Sequence, residues 1–302
     1  KTVVCQEKFA DNMLYVKKST DDIHLYSAEI RSVSENISKP VRTMSVRIKA
    51  PTNKYTFKNI VVNIPNVRAP VPLFIVFRAL GIISDKSIIS YCLLDMEKYE
   101  SMIDLFIPSV HDGSTVNNQQ NALQYIALLT KGPGGIRHAL EILNDYFLPH
   151  IGEDNYIEKA YYLGHIVFKL LSVYTGLEPP TDRDSFKFKR VELIGSLLND
   201  LYREYWSMQL HAVQLTFEKK LYYNQEMYES NLYGLIVENF QEAFQERILE
   251  KGFQKAFKGN WGAYSHTKRI GVLQDLNRLS FNSAINHLRK TNLPLDSSVK
   301  LV

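Results

Sequence analysis

Apolar and polar positions follow two different periods along this chain. The first residues, 1–8, open with a β-branched run. Segments 43–49 and 55–64 alternate with the period of two expected of half-buried strands, and Ala50-Pro-Thr-Asn53 between them supplies the breakers of a hairpin loop. The two segments are therefore expected to pair antiparallel. Pro65 and Pro70-Val-Pro72 end that pattern, and 73–82 follows as a buried apolar segment with Gly81 near its end.

From Asp85 the period becomes helical. Asp85 is placed to cap the helix that carries Ile88, Ile89, Cys92 and Leu93. Residues 120–130 and 136–147 read as two helices joined by Lys131-Gly-Pro-Gly-Gly135, and 157–174 as another, striped by Leu163, Val167 and Leu171. Pro179 and Pro180 then mark a boundary. After a charged turn, Val191, Ile194, Leu197, Leu198, Leu201 and Tyr205 recur at steps of three and four, and the pattern continues past Trp206, Leu210 and Val213 to Phe217, as one long helix. Residues 231–257 are expected to form one more, released by Gly259. A last helical pattern is carried by Val272, Leu276, Leu279, Ile285 and Leu288, which would let Gln274, Asn277 and Arg278 share one turn. The aromatic residues on these helices have core spacing. The predicted class is α+β, mainly helical, with a short antiparallel sheet.

Composition bounds this picture. With 302 residues, 45% of them hydrophobic and 23% charged, the chain has material for a sizeable core and more than one domain. It contains no apolar run of the roughly 18 residues that span a bilayer and no secretory pattern, so an intracellular setting and no membrane partner are expected. Cys5 and Cys92, far apart, make neither a disulfide framework nor a zinc motif. A start at Lys1 and a polar end at Val302 read as a piece of a longer protein.

Charge is unevenly distributed. Residues 251–302 hold nine Lys or Arg against two acids, a net of +7, whereas the remainder holds 27 against 30. The cations are interleaved with amides and apolar residues, as on a folded element that presents them to phosphates and 2′-hydroxyls.

Other candidate chemistry is weaker. The glycine cluster at 131–135 follows a helix and lacks the Gly-Lys-Ser/Thr of a phosphate cradle, so a connecting loop is the better reading. His150 and His165 lack a ligand partner at i+4, which favours structural roles. Asp182 and Asp184 have an i, i+2 spacing compatible with Mg²⁺, but Arg183, Lys187, Lys189 and Arg190 around them favour a salt-bridged turn.

Gly271-Val-Leu-Gln-Asp-Leu-Asn-Arg278 followed by His287-Leu-Arg-Lys-Thr-Asn-Leu-Pro294 resembles the fork region of the second-largest, β-like subunit of multisubunit DNA-directed RNA polymerases. Pro179–Leu198, with its Asp-Arg-Asp, Lys-Arg and Gly-x-Leu-Leu pattern, resembles the junction of lobe and protrusion in the same subunits. Ser185-Phe-Lys187, Ser196 and the Leu295-Asp-Ser-Ser-Val-Lys300 continuation depart from cellular forms toward those of large nucleocytoplasmic DNA viruses.

The resemblance covers the whole chain. It implies the end of the protrusion's first part at 1–16, where Gln6 and Glu7 sit on a strand or in a solvated turn, the lobe at 17–187, the protrusion's second part at 188–258 and the start of the fork at 259–302. It further implies one wall of a DNA cleft and no catalytic residue in this chain. Gln274, Arg289 and Lys290 would face the RNA of the hybrid, residues 263–269 would form a fork loop with Lys268 and Arg269 on phosphates, and Arg278 joins this set. Implied partners are the largest and smaller subunits, including a small zinc-ribbon subunit, the DNA template, the RNA transcript, and initiation factors on lobe and protrusion. Mg²⁺ would serve the complete enzyme and Zn²⁺ a part of the subunit outside this chain. The setting would be a virion or cytoplasmic virus factory for a viral chain, the nucleus for a cellular eukaryotic one. The basic end by itself also fits a non-enzymatic helical scaffold that binds nucleic acid.

Overall fold

The computed structural model describes residues 1–36, 39–51, 58–130 and 134–293. Residues 52 and 53 of the expected loop, residues 55–57 of the second expected strand, residues 131–133 of the glycine-rich connector, Pro294 and the continuation through Lys300 lie outside these. The chain forms two compact units, one of Ala10–Phe188 and one of Lys1–Phe9 with Lys189–Val302. The fold is α+β and mainly helical.

In the Ala10–Phe188 unit a five-stranded antiparallel meander runs Leu14–Lys18, His24–Ser32, Arg42–Lys49, Ile60–Asn63 and Val71–Pro72 in sheet order. Ala28, Ile30, Met44, Val46, Ile48, Ile60 and Val62 from these strands are buried in one core with the helices. The first two strands are not marked by the sequence pattern, because Leu14–Lys18 has adjacent buried residues instead of strict alternation. Leu73–Ala79 is a helix buried at every residue, which is why its apolar run carries no visible period. The helix Tyr156–Tyr174 packs against Asp85–Leu93. A Cβ at Gly164 would come within 2.3 Å of the Tyr91 carbonyl oxygen, so only glycine lets the two backbones approach this closely.

Two cations among the described residues of this unit are buried, each with acceptors. The Arg78 guanidinium donates to the carbonyls of Gly113 and Val116, both at 2.5 Å, and to Asp85 Oδ1. Asp85 thus serves as an ion-pair partner; the residue before the helix is Ser84, and Asp85 makes no cap hydrogen bond, contrary to the expectation. Lys159 Nζ donates to the carbonyls of Leu143 (2.7 Å) and Asn144 (2.9 Å), at the C-terminal end of helix Gly135–Asp145, where a cation also complements the helix dipole. Its burial lowers its pKa to about 8, with Asp145, Asp154 and Glu153 acting in the opposite direction. The Cys92 thiol is pushed far above its ordinary range by burial.

In the second unit, Cys5–Phe9 is the central strand of a three-stranded sheet, antiparallel to Lys189–Glu192 and parallel to Thr291–Asn292, while Thr2–Val3 pairs with Leu273–Gln274. Gln6 and Glu7 are therefore strand residues, with Glu7 Oε1 2.8 Å from Lys189 Nζ. Val191 belongs to a strand, and the long helix begins three residues later and spans Ile194–Tyr223.

The single helix expected at 231–257 is instead two, Leu232–Ala243 and Ile248–Phe257. Gln209 of the long helix decides this break: its Oε1 accepts the N–H of Ile248 (2.8 Å) and of Leu249 (3.4 Å), which gives the second helix its own capped start. No helix among the described residues is long and apolar enough to cross a membrane.

Candidate nucleic-acid interface

The basic end folds as a series of short pieces held by polar side chains. Trp261, 4% exposed, packs with Leu197, Leu201, Tyr205, Ala256 and Val272. From this anchor the chain makes a loop that closes on itself where Trp261 and Arg269 pair as an antiparallel bridge. Gly262, at φ +96°, has no room for a Cβ, which would meet the Thr267 carbonyl oxygen at 2.4 Å. Tyr264 and Thr267 close the tip, the Tyr264 N–H donating to Thr267 Oγ at 3.1 Å.

Two carboxylates outside the loop hold it in place. Buried Glu204 on the long helix accepts the Ala263 N–H (2.9 Å) and the Thr267 hydroxyl (3.0 Å) at one oxygen, Oε2. Buried Glu192 pairs with Arg269 through both terminal guanidinium nitrogens, and Lys8 Nζ lies 3.6 Å from its Oε1. Burial, and then the nearby charge of Glu192, raise the Asp200 pKa above the ordinary carboxylate range. Arg269 is thus a brace for the loop, while its neighbour Lys268 is exposed.

Leu273–Gln274 is a strand and 275–278 has no regular structure, so Gln274, Asn277 and Arg278 do not share the expected helical turn. The pairing with Thr2–Val3 overrides the local apolar spacing. The helix begins only at Phe281 and ends at Leu288, and its start is a capping box in which Ser280 and Ser283 exchange side chain-to-backbone hydrogen bonds at 3.2 and 3.0 Å. Arg289 is the capping residue just after this helix.

Gln274 is half-buried and fully occupied as a donor. Its Nε2 donates to the carbonyl of Gly271 (2.9 Å) and to Asn292 Oδ1 (3.3 Å), while Oε1 lies 3.0 Å from His287 Nε2. One lone pair of Oε1 is left, so this amide can accept from a hydroxyl but has no proton to give. Arg278, Arg289 and Lys290 are exposed, as is Lys268, and among the described residues none of the four forms an ion pair. The six candidates thus divide into four solvent-facing cations and two residues, Arg269 and Gln274, tied into the fold. Four free cations can neutralise phosphates without first giving up an internal partner. Sequence reasoning passed over Glu192, Glu204 and His287, whose partners lie 77, 59 to 63 and 10 to 13 residues away.

The other candidates are placed elsewhere. Asp182 Oδ1 accepts the Asp184 N–H at 3.0 Å in an exposed turn, and the Arg183 guanidinium lies 5.7 Å from the centre of the Tyr15 ring. His150 Nδ1 is 2.7 Å from Ser32 Oγ and its ring meets Tyr162 edge-on, with its pKa lowered by burial and then by the charge of Lys159. The His165 pKa is lowered by burial and then by Lys169. Among the described residues no three of His, Cys, Asp and Glu converge to hold a metal ion.

Comparison with known proteins gives this geometry a lineage. Residues 10–192 match the family described as RNA polymerase Rpb2, domain 2. The whole chain is 33% identical to DNA-directed RNA polymerase II subunit 2 of Arabidopsis thaliana and 36% identical to the RPB2 subunit of RNA polymerase II of Encephalitozoon cuniculi, covering 25% and 26% of their lengths. Over 96% of the chain it is 29% identical to RNA polymerase subunit Rpo2 of Saccharolobus shibatae, of which it covers 24%. The chain spans about a quarter of the length of the curated relatives it matches.

Proposed function

The chain belongs to the RNA polymerase Rpb2 family, and from that premise we propose that it is part of the second-largest subunit of a DNA-directed RNA polymerase, forms one side of the DNA cleft and contacts the RNA–DNA hybrid during templated RNA synthesis. The observation that carries this is the set of four exposed cations, Lys268, Arg278, Arg289 and Lys290, on a segment of net charge +7 whose short pieces are fixed by buried polar groups. The phosphates of the hybrid are the natural counter-charge. Gln274, with one acceptor site left, suits a ribose 2′-hydroxyl, which DNA lacks. Arg269 acts through the position of the loop.

Nucleotidyl transfer is assigned to the assembled enzyme with its Mg²⁺. Among the described residues no three of His, Cys, Asp and Glu come together to hold that ion. We assign residues 17–187 to the lobe, 1–16 and 188–258 to the protrusion and 259–302 to the start of the fork; the compactness of Ala10–Phe188 supports the first of these. The largest and smaller subunits, among them a small zinc-ribbon subunit, the DNA template, the RNA transcript and initiation factors are the proposed partners, with zinc bound in a part of the subunit outside this chain. Ser185-Phe-Lys187 and Ser196 support a viral version, and with it a virion or cytoplasmic virus factory; a cellular eukaryotic version would work in the nucleus.

The test is Arg289→Ala in the complete polymerase, with binding of a labelled RNA–DNA hybrid followed across salt concentration. The expected result is weaker binding, with the magnitude of the log–log salt slope lower by about one. An unchanged slope removes Arg289 from the phosphate contacts.

A further inference from the structure

We propose that His287 is a positioning residue, a neutral strut that sets the spacing of Arg278 from Arg289 and Lys290; this rests on the reading that these cations hold nucleic-acid phosphates. His287 is 7% exposed and lies in the last turn of the helix Phe281–Leu288. The Asn277 N–H donates to its Nδ1 at 3.0 Å. A backbone N–H has no acceptor to offer, so Nδ1 carries no proton and the ring proton resides on Nε2. That proton is directed at Gln274 Oε1, 3.0 Å away.

The consequence propagates through the amides. Because Oε1 of Gln274 receives the imidazole proton, its Nε2 is turned toward the Gly271 carbonyl and Asn292 Oδ1. Asn292 in turn donates to the same Gly271 carbonyl at 2.6 Å, and it sits on the short strand that pairs with Cys5–Phe9. One ring therefore ties together strand Leu273–Gln274, the irregular segment 275–278, the last helix and the returning strand. Arg278 immediately follows the residue that donates to Nδ1, and Arg289 and Lys290 follow the ring itself by two and three residues. Their backbones are spaced by a rigid aromatic ring, and none of the three has an ion pair of its own to fix it among the described residues.

The two nitrogens can be separated by substitution. Asparagine at 287 can keep an acceptor near the place of Nδ1, glutamine a donor near the place of Nε2, and methionine fills the space with no strong hydrogen-bonding group. In the complete polymerase His287→Ala and His287→Met are expected to weaken binding of a labelled RNA–DNA hybrid by roughly tenfold, the scale of a lost buried polar network. His287→Gln and His287→Asn are each expected to recover part of that loss. Amide hydrogen exchange across residues 275–280, read by mass spectrometry, is expected to rise in the Ala, Met and Gln variants and much less in Asn.

Wild-type binding by His287→Met overturns the proposal, because filling volume would then suffice. So does exchange unchanged by His287→Ala, which needs no hybrid and is read even where affinity is lost. Arg289→Ala separates the two readings. If that change leaves hybrid binding intact, Arg289 is not a phosphate contact and the positioning role that rests on it fails; if it weakens binding while the histidine variants do not, only the role of His287 is overturned.

Discussion

The Ala10–Phe188 unit and the unit built around the long helix are stabilised in different ways. The first has one continuous apolar core, with strands on one side and helices such as Leu73–Ala79 buried at every residue, and its buried cations Arg78 and Lys159 are hydrogen-bonded by acceptors within the unit. Among the described residues the second gathers a smaller core cluster, Leu197, Leu201, Tyr205, Ala256, Trp261 and Val272, and leaves Tyr233, Val237, Phe240, Ile270 and Leu279 more than half exposed. Where little apolar area is buried, single polar side chains take over the placing of the chain: Gln209 starts a helix, Glu204 and Glu192 hold a loop, and His287 ties its helix to Asn277 and Gln274. Each of these acts at one point, so a surface can be positioned without a large core beneath it.

The largest expected effect lies in the first unit. Phe77→Ala, at a fully buried position, should cost about 3–5 kcal/mol of stability, from lost transfer energy and the cavity left behind. Chemical denaturation followed by a probe in this unit measures it, and a loss below about 1 kcal/mol would break the picture of a close-packed core.

A smaller and local effect is expected in the second unit. Glu204→Ala leaves the Ala263 N–H without its acceptor and the Thr267 hydroxyl with only the Tyr264 carbonyl, and should destabilise the loop by about 1–3 kcal/mol. Faster hydrogen exchange at residues 261–269, with exchange in Leu73–Ala79 unchanged, is the expected pattern. Equal loss in both places would mean that the carboxylate supports far more than the loop.

The smallest effect is one of pH, and it belongs to Lys159. Its pKa is about 8 in the fold and 10.5 without it, so between these values the unfolded chain binds more protons than the folded one. Stability contributed by this group therefore rises as pH increases from about 8 toward 10.5, and the burial penalty on the ammonium is fully felt below pH 8. The gain is at most about 1.4 kcal/mol per pH unit, the limit for a single proton. Denaturation midpoints for wild type and Lys159→Met across this range are the measurement; a wild-type slope no steeper than that of the variant would remove Lys159 from the pH dependence.

Much of this fold was legible along the chain, because periodicity records which face of an element is buried. The stripe of Leu163, Val167 and Leu171 marks the helix Tyr156–Tyr174, the recurrence from Ile194 to Phe217 marks the long helix, and the alternation at 43–49 marks a strand of the meander. The excess of cations after residue 250 was legible too, since net charge needs no fold to be counted. Tertiary structure alone decided the rest. Leu273–Gln274 is a strand because Thr2–Val3, some 270 residues earlier, supplies its partner, and no local pattern encodes such a pairing. The break before Ile248 rests on an amide of the long helix. Arg269 and Lys268 look alike in sequence, yet one is paired with buried Glu192 and the other faces solvent, because charge is set by residue type and availability by what the fold brings within hydrogen-bond reach.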